Sequence, residues 1–277
     1  GYLIGRYMNK YAVIGNPINH SLSPTIHAQF AKQFGLSMSY EKILAPLDGF
    51  TVAAKNFVSS GALGFNITVP FKVEAYDLVD EHTLNAKTAG AVNTIKVVNG
   101  TLYGENTDGI GLVNDLCNNL QQSITGKDIL ILGAGGATQG ILLPLLKCQP
   151  ERILVANRTK SRSLKLANNF NQYGKVCGFG LDQIKAKPVD IIINATSTSL
   201  DDKMPEIPSG VAAGALCYDL MYGKQTPFMQ WARENSALEV TDGLGMLVEQ
   251  AASAFAFWYG KTPETKEVLK SLRETTD

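Results

Sequence analysis

The segment that most constrains this chain runs from residue 128 to residue 147. Asp128-Ile129-Leu130-Ile131-Leu132 leads directly into Gly133-Ala134-Gly135-Gly136-Ala137-Thr138-Gln139-Gly140, and helix-forming residues 141–147 follow. A nearly unbroken apolar run suits a strand covered on both faces, as parallel sheets require. Glycines just after such a strand leave room for an anion to reach the backbone amides at the helix N-terminus, where the helix dipole favours negative charge. The spacing here is G-x-G-G-x-x-x-G, and a tight turn in an ordinary α/β sheet is the competing reading. Its position between strand and helix favours the pyrophosphate of a dinucleotide.

The next strand sharpens this expectation. Sites for a free ribose 2′-hydroxyl place an acidic residue about 20 residues past the glycines, whereas a 2′-phosphate calls for cations. Residues 152–156 read as that strand, and Asn157-Arg158-Thr159-Lys160-Ser161-Arg162 follows, with three cations and no carboxylate. Guanidinium groups grip phosphate through paired hydrogen bonds. Cations at the start of a helix oppose its dipole unless an anion sits there. The expected cofactor is therefore NADP; a solvated basic helix start is the alternative.

Alternation of strand and helix extends along the chain. In the first half, strands are expected at 11–14, 39–45 and 62–69 and helices at 25–34, 50–59 and 71–79. Residues 91–98 and 101–105 flank Asn99-Gly100 and predict an antiparallel hairpin. A helix is expected at 110–120. Beyond 128–132 and 152–156, strands are expected at 176–179, 190–194, 215–219 and 238–241, which implies a parallel, doubly wound sheet. Residues 247–259 and 263–273 read as closing helices. At roughly 100 to 200 residues per domain, 277 residues with 45% hydrophobic content suggest two domains.

Composition narrows the function classes. The 25 Lys and Arg balance 25 Asp and Glu, and no basic block is present, so the electrostatic basis for nucleic-acid binding is lacking. No apolar run approaches the roughly 18 residues of a membrane span. Cys117, Cys148, Cys177 and Cys217 lack metal or redox spacing, and read as reduced thiols of a soluble cytoplasmic protein. No metal site is expected. Residues 1–7 precede Met8-Asn9-Lys10 and are expected to be a tag remnant.

Two polar strings in the first half lack an obvious structural excuse. In Asn16-Pro17-Ile18-Asn19-His20-Ser21-Leu22-Ser23-Pro24, Ser21 and Ser23 would point the same way in an extended segment and could bind a carboxylate. Capping of the helix by Ser23 alone is the structural alternative. In Asn66-Ile67-Thr68-Val69-Pro70-Phe71-Lys72, Asn66, Thr68 and Pro70 share one face of an expected strand and Lys72 begins a helix. Asn93 and Asp108 also lie at strand ends, where ligands of open α/β folds gather. A lysine and a carboxylate held together form a proton relay suited to carbonyl reduction; a structural salt bridge is the alternative.

Taken in order, Ser21-Leu-Ser-Pro24, Asn66-Ile-Thr-Val-Pro-Phe-Lys72, Gly90-Ala-Val-Asn-Thr94, Asn106-Thr-Asp-Gly109, Gly133-Ala-Gly-Gly136, Asn157-Arg-Thr159, Asn194-Ala-Thr-Ser197 and Asp242-Gly-Leu-Gly-Met-Leu247 resemble the shikimate dehydrogenases, NADP-dependent enzymes that reduce 3-dehydroshikimate to shikimate in aromatic amino-acid biosynthesis. The resemblance covers nearly everything from Met8 onward. It implies Lys72 as the acid/base residue with Asp108 beside it. Ser21 and Ser23 would bind the substrate carboxylate with help from Tyr222, and Asn66, Thr68, Asn93, Asp108 and Gln250 the ring hydroxyls. Gly133, Ala134, Gly135, Gly136 and Ala137 would meet the pyrophosphate, and Asn157, Arg158, Thr159 and Arg162 the 2′-phosphate. Thr196, Met221 and Gly243 would lie nearer the nicotinamide.

The implied architecture is α/β with two domains. Residues 8–108 would form a mixed α/β substrate domain, residues 109–244 a Rossmann-type NADP-binding domain, and residues 245–277 would pack back on the first. A monomer or homodimer acting on a small molecule is expected, with a broader quinate/shikimate dehydrogenase as the nearest alternative and a non-catalytic ligand sensor as a remote one. Ala28, Thr198-Ser199 and the Tyr222-Gly223-Lys224-Gln225 stretch depart from the family pattern.

Overall fold

The computed structural model describes residues 8–196 and 203–276. The expected tag remnant, residues 1–7, and Ser197, Thr198 and Ser199 therefore lie outside the described residues. The chain divides into two compact units: one runs up to Gly111 and adds Val248–Ser271, the other comprises Leu112–Leu247 and the chain from Leu272.

The first unit holds strands β1 (Asn9–Gly15), β2 (Met38–Leu44), β3 (Gly64–Ile67), β4 (Glu81–His82), β5 (Thr94–Val98) and β6 (Thr101–Glu105), with helices α1 (Ser23–Gln33), α2 (Phe50–Ser59), α3 (Lys72–Leu78) and α4 (Leu84–Ala89). The strand order is β2-β1-β3-β5-β6-β4. β1 is parallel to both β2 and β3, while β5 is antiparallel to β3 and β6, so the sheet is mixed. Asn99 and Gly100 both take positive φ, 50° and 81°, as the two-residue hairpin between β5 and β6 demands. Phe50, Phe65 and Phe71 are fully buried in the core.

Two expectations need correction here. Ser21 and Ser23 are not in an extended run: the Ser21 amide donates to the Ile18 carbonyl, α1 already begins at Ser23, and Leu22 rather than Ser23 is its N-cap. The strand expected over 62–69 is shortened to β3, so Thr68 and Pro70 lie beyond its end. β4 and α4 were not foreseen, because a two-residue strand and a six-residue helix show no periodicity.

Helix α5 (Asp108–Asn114) contains the passage to the second unit and continues as a π-helical turn, Asp115–Asn119. The second unit contains β7 (Asp128–Leu132), α6 (Gly136–Lys147), β8 (Arg152–Asn157), α7 (Lys160–Phe170), β9 (Val176–Gly180), β10 (Ile191–Asn194), β11 (Leu216–Asp219), α8 (Pro227–Glu234) and β12 (Glu239–Thr241). All neighbours are parallel in the order β12-β11-β10-β7-β8-β9. The strands stay parallel, but the order in which they are added reverses between β7 and β10, the kind of switch point where open α/β sheets bind ligands. Ile129, Ile131, Ile153, Val155, Ile191 and Ile193 feed the core on one face, and Leu130, Leu132, Ala156, Ile192 and Cys217 that on the other. Both faces are covered, which explains why these strands read as apolar runs rather than alternating ones.

Helix α9 (Leu244–Tyr259) is shared between the units, and α10 (Lys266–Thr276) closes the chain. Within the first unit, Trp258 Nε1 donates to the Ile95 carbonyl at 2.9 Å. A Cβ at Gly64 would fall 2.5 Å from that nitrogen, so β3 needs glycine there to admit the indole. This anchor sets the position of Gln250, earlier on the same helix.

Candidate functional site

Lys72 is the first residue of α3 and Asp108 the first of α5, and the first unit brings them together: Lys72 Nζ lies 3.0 Å from Asp108 Oδ2. Their side chains retain 32% and 23% exposure, so the pair is sheltered yet reachable by a ligand. Asn93 Nδ2 donates to the other carboxylate oxygen at 3.0 Å and to Thr107 Oγ1 at 2.9 Å. The Thr107 hydroxyl reaches Gln250 Oε1 at 3.3 Å, and Asn93 Nδ2 lies 3.4 Å from the same oxygen. Asp108 is itself held by a 3.0 Å hydrogen bond from its amide to Asn106 Oδ1. Lys72, Asp108, Asn93 and Gln250, drawn from four separate sequence strings, thus converge on one polar cluster.

Asn66 adjoins it, donating through Nδ2 to Thr94 Oγ1 at 3.1 Å and to the Asn93 carbonyl at 3.3 Å. Its Oδ1 accepts a 2.6 Å hydrogen bond from the Tyr40 hydroxyl. Desolvation holds that phenol protonated, and a hydrogen bond with Ser23 partly opposes the effect. Thr68 follows β3 with its amide on the Ile14 carbonyl, and Gly15 leaves space for its methyl, since a Cβ there would strike Thr68 Cγ2. Ser21 Oγ accepts from the Ser23 amide at 3.3 Å, closing a hydroxyl-stabilised turn.

In the second unit, Gly133 adopts φ 108°, donates its amide to the Ala156 carbonyl at 2.8 Å and accepts from buried Thr138 Oγ1 at 2.7 Å. A Cβ at Gly133 would sit 3.0 Å from the Ala195 carbonyl. Gly135 caps α6 and Gly136 opens it; neither would bring a Cβ within 4 Å of any atom, and both are exposed with Ala134 half-buried and Ala137 exposed beside them. The turn therefore offers amides at a helix N-terminus with open space before them, which fits a pyrophosphate. At the end of β8, Asn157 Nδ2 donates to the Thr159 carbonyl at 3.0 Å and shapes the turn into α7; Arg158 and Thr159 on that turn and Arg162 in the first turn of the helix are exposed, and that first turn contains no acid. These groups fit a phosphorylated ribose.

At the ends of β10, β11 and β12, the sequence-named Thr196, Met221 and Gly243 meet two residues that sequence reasoning missed, Asp219 and Thr226. Buried Asp219 accepts from Asn194 Nδ2 at 3.2 Å, the Met221 amide at 3.0 Å and Thr226 Oγ1 at 2.5 Å. Thr226 also caps α8, accepting from the Met229 amide. Thr196 donates its hydroxyl to Asn194 Oδ1 at 2.7 Å, and the Gly243 amide donates to the Met221 carbonyl at 2.8 Å. A side chain at Gly243 would strike the Leu220 carbonyl. Tyr222, half-buried on the same loop, has its hydroxyl pKa raised by desolvation. The signal for Asp219 was its position, a carboxylate closing an apolar strand just before Tyr222; Tyr40 and Thr94 offered none. Among the described residues, no His, Cys, Asp or Glu cluster could hold a metal, and no helix is long and apolar enough to cross a membrane.

Three family models match in sequence: a shikimate dehydrogenase substrate binding domain over residues 13–95, a shikimate / quinate 5-dehydrogenase over 115–201, and a shikimate 5′-dehydrogenase C-terminal domain over 243–273. The shikimate dehydrogenase (NADP(+)) of Ruthia magnifica subsp. Calyptogena magnifica is 63% identical over 266 residues, covering 96% of this chain and 100% of that one. Among solved structures, an enzyme from Pseudomonas putida superposes with a TM-score of 0.91 at 42% identity, covering 95% of this chain and 98% of that one. The shikimate 5-dehydrogenase of Thermus thermophilus, solved with NADP(H) and shikimate, does so at 0.84 and 32% identity, covering 96% and 99%.

Proposed function

The chain belongs to the shikimate dehydrogenase family, and from that premise we propose that it catalyses the reversible NADPH-dependent reduction of 3-dehydroshikimate to shikimate, a step of chorismate and aromatic amino-acid biosynthesis. The observation that carries this reading is the 3.0 Å contact of Lys72 with Asp108, braced by Asn93. When bound, the reduced nicotinamide supplies a hydride to the ring carbonyl carbon. Lys72, as ammonium, gives the carbonyl oxygen its proton and in the reverse direction takes it back from the hydroxyl. Asp108 keeps the amine aligned and offsets its charge, and the Asn93 amide keeps the carboxylate from rotating. Asn66, Thr68, Asn93, Asp108 and Gln250 are assigned to the ring hydroxyls, and Ser21, Ser23 and Tyr222 to the substrate carboxylate.

For the cofactor, Gly133, Ala134, Gly135, Gly136 and Ala137 are assigned to the pyrophosphate. Asn157, Arg158, Thr159 and Arg162 are assigned to the 2′-phosphate, and Thr196, Met221 and Gly243 to the surroundings of the nicotinamide. Residues 8–108 with 245–277 serve the substrate and residues 109–244 the cofactor. The protein is assigned to the cytoplasm, as a monomer or homodimer, a compartment that suits its four free thiols.

An absorbance assay at about 340 nm, where reduced nicotinamides absorb, crossing shikimate and quinate with NADP and NAD, tests the reading. Shikimate with NADP should be oxidised fastest. Absence of turnover with shikimate under either cofactor overturns the proposal. The description of the second family model, which names quinate as well, favours a broader quinate/shikimate dehydrogenase as the second reading. Comparable rates on both acids would establish that second reading.

A further inference from the structure

Four hydrogen bonds in the first unit run head to tail. Tyr40 Oη donates to Asn66 Oδ1 at 2.6 Å, Asn66 Nδ2 to Thr94 Oγ1 at 3.1 Å, Thr94 Oγ1 to Asn93 Oδ1 at 3.0 Å, and Asn93 Nδ2 to Asp108 Oδ1 at 3.0 Å. Backbone groups that act in one sense alone fix these directions. The Thr107 amide can only donate, and it donates to Asn93 Oδ1 at 2.9 Å, so Nδ2 of that side chain must face Asp108. The Asn93 carbonyl can only accept, and it takes Asn66 Nδ2 at 3.3 Å, so Asn66 Oδ1 must face Tyr40. The Thr94 hydroxyl then receives from Asn66 and spends its own proton on Asn93.

The three links between the phenol and the carboxylate are shielded from water: Thr94 is 0% exposed, Asn93 3% and Asn66 6%. In so dry a setting each donor polarises the next, so a chain of one sense strengthens along its length. The phenol ring is held in place by His27, stacked on it at 4.8 Å and 13° and packed in turn on Trp258.

We propose that Tyr40 is a positioning residue whose hydroxyl heads a one-way hydrogen-bond chain through Asn66, Thr94 and Asn93, setting the strength of the Asn93 bond to Asp108 and hence the alignment of the Lys72–Asp108 pair. The inference rests on the roles given to Lys72 and Asp108 above. Tyr40 touches neither of them; its effect is transmitted through three side chains.

Tyr40→Phe removes the head hydroxyl and keeps the stacked ring. In nitrogen-15-labelled protein, the Asn93 side-chain amide protons should shift upfield in Tyr40→Phe and in Thr94→Val, and return to their original position in Thr94→Ser. In the dehydrogenase assay, each of the first two substitutions should lower kcat by roughly 2- to 10-fold, the worth of one neutral hydrogen bond, with the KM for shikimate little changed. The double variant should fall no further than Thr94→Val alone, because both changes cut one chain. An Asn93 amide signal that does not move in Tyr40→Phe overturns the inference whatever the kinetics show. So does a rise in KM with kcat intact, which would assign Tyr40 to ligand binding through Asn66 or through Ser23, whose hydroxyl also bonds the phenol. An inactive unmodified protein would overturn the proposed reaction instead, and the amide shifts would still decide the chain.

Discussion

Tyr218, at the third position of β11, donates a 2.6 Å hydrogen bond to Oδ2 of Asp115, the first residue of the π-helical turn, although the two stand 103 residues apart. Asp115 is 2% exposed, and desolvation raises its pKa above the ordinary carboxylate value against the lowering effect of Tyr218, Asn119 and Arg273. Gly245 accommodates the arrangement, since a Cβ there would strike the Asp115 carboxylate. Tyr218→Phe should leave that oxygen short of a donor and cost about 1–3 kcal/mol. Chemical denaturation of the two proteins would check this, and an unchanged midpoint would contradict it.

Lys72→Ala should lower kcat by about 10²- to 10⁴-fold, the usual contribution of a general acid, while affinity for shikimate changes little. Steady-state kinetics in both directions measure the effect. Turnover within a few-fold of the unmodified protein would remove Lys72 from the chemistry.

Exposed Arg158, on the loop that follows β8, is the guanidinium best placed by sequence to meet a 2′-phosphate. Arg158→Ala should weaken NADPH and spare NADH, narrowing the preference between them. Titration of each nucleotide by fluorescence would show it; equal loss for both would mean that the arginine does not read the phosphate.

His27 gives the fold a pH dependence of definite sign. Burial lowers its pKa from 6.5 to about 3, so the folded protein holds a neutral imidazole that the unfolded chain protonates more readily. Its contribution is intact above pH 6.5 and falls away as pH drops towards 3. At pH 5 the loss from this group is roughly 2 kcal/mol. His27→Gln should flatten the decline of Tm between pH 7 and pH 5; an equally steep decline in the variant would assign the acid sensitivity to other groups.

Much of the fold was legible because it rests on local chemistry. The apolar run of β7 and the glycine turn that leads from it into α6 declare strand, turn and helix within two dozen residues. Asn99-Gly100 announced the β5/β6 hairpin because its positive φ values are a property of those two residues. α4 was missed, although the Thr83 hydroxyl accepts from the Ala86 amide as its cap and Gly90 ends it with φ 63°, because those signals bracket too few residues to stand out.

What the chain itself determined was which side chains were available: a lysine opening one helix, a carboxylate opening another, amides and hydroxyls at strand ends. Tertiary structure decided which of them meet. Lys72 and Asp108 are 36 positions apart, and their 3.0 Å contact depends on β5 pairing antiparallel with both β3 and β6, which carries Asn93 and Asp108 back to the end of β3. Tyr40 enters the same network from β2, two strands away, through the parallel pairing of β1 with both β2 and β3. Periodicity and turn chemistry are short-range and can be read along one dimension; sheet order is settled by burying whole faces at once, and the hydrogen-bond partners it creates exist only after that burial.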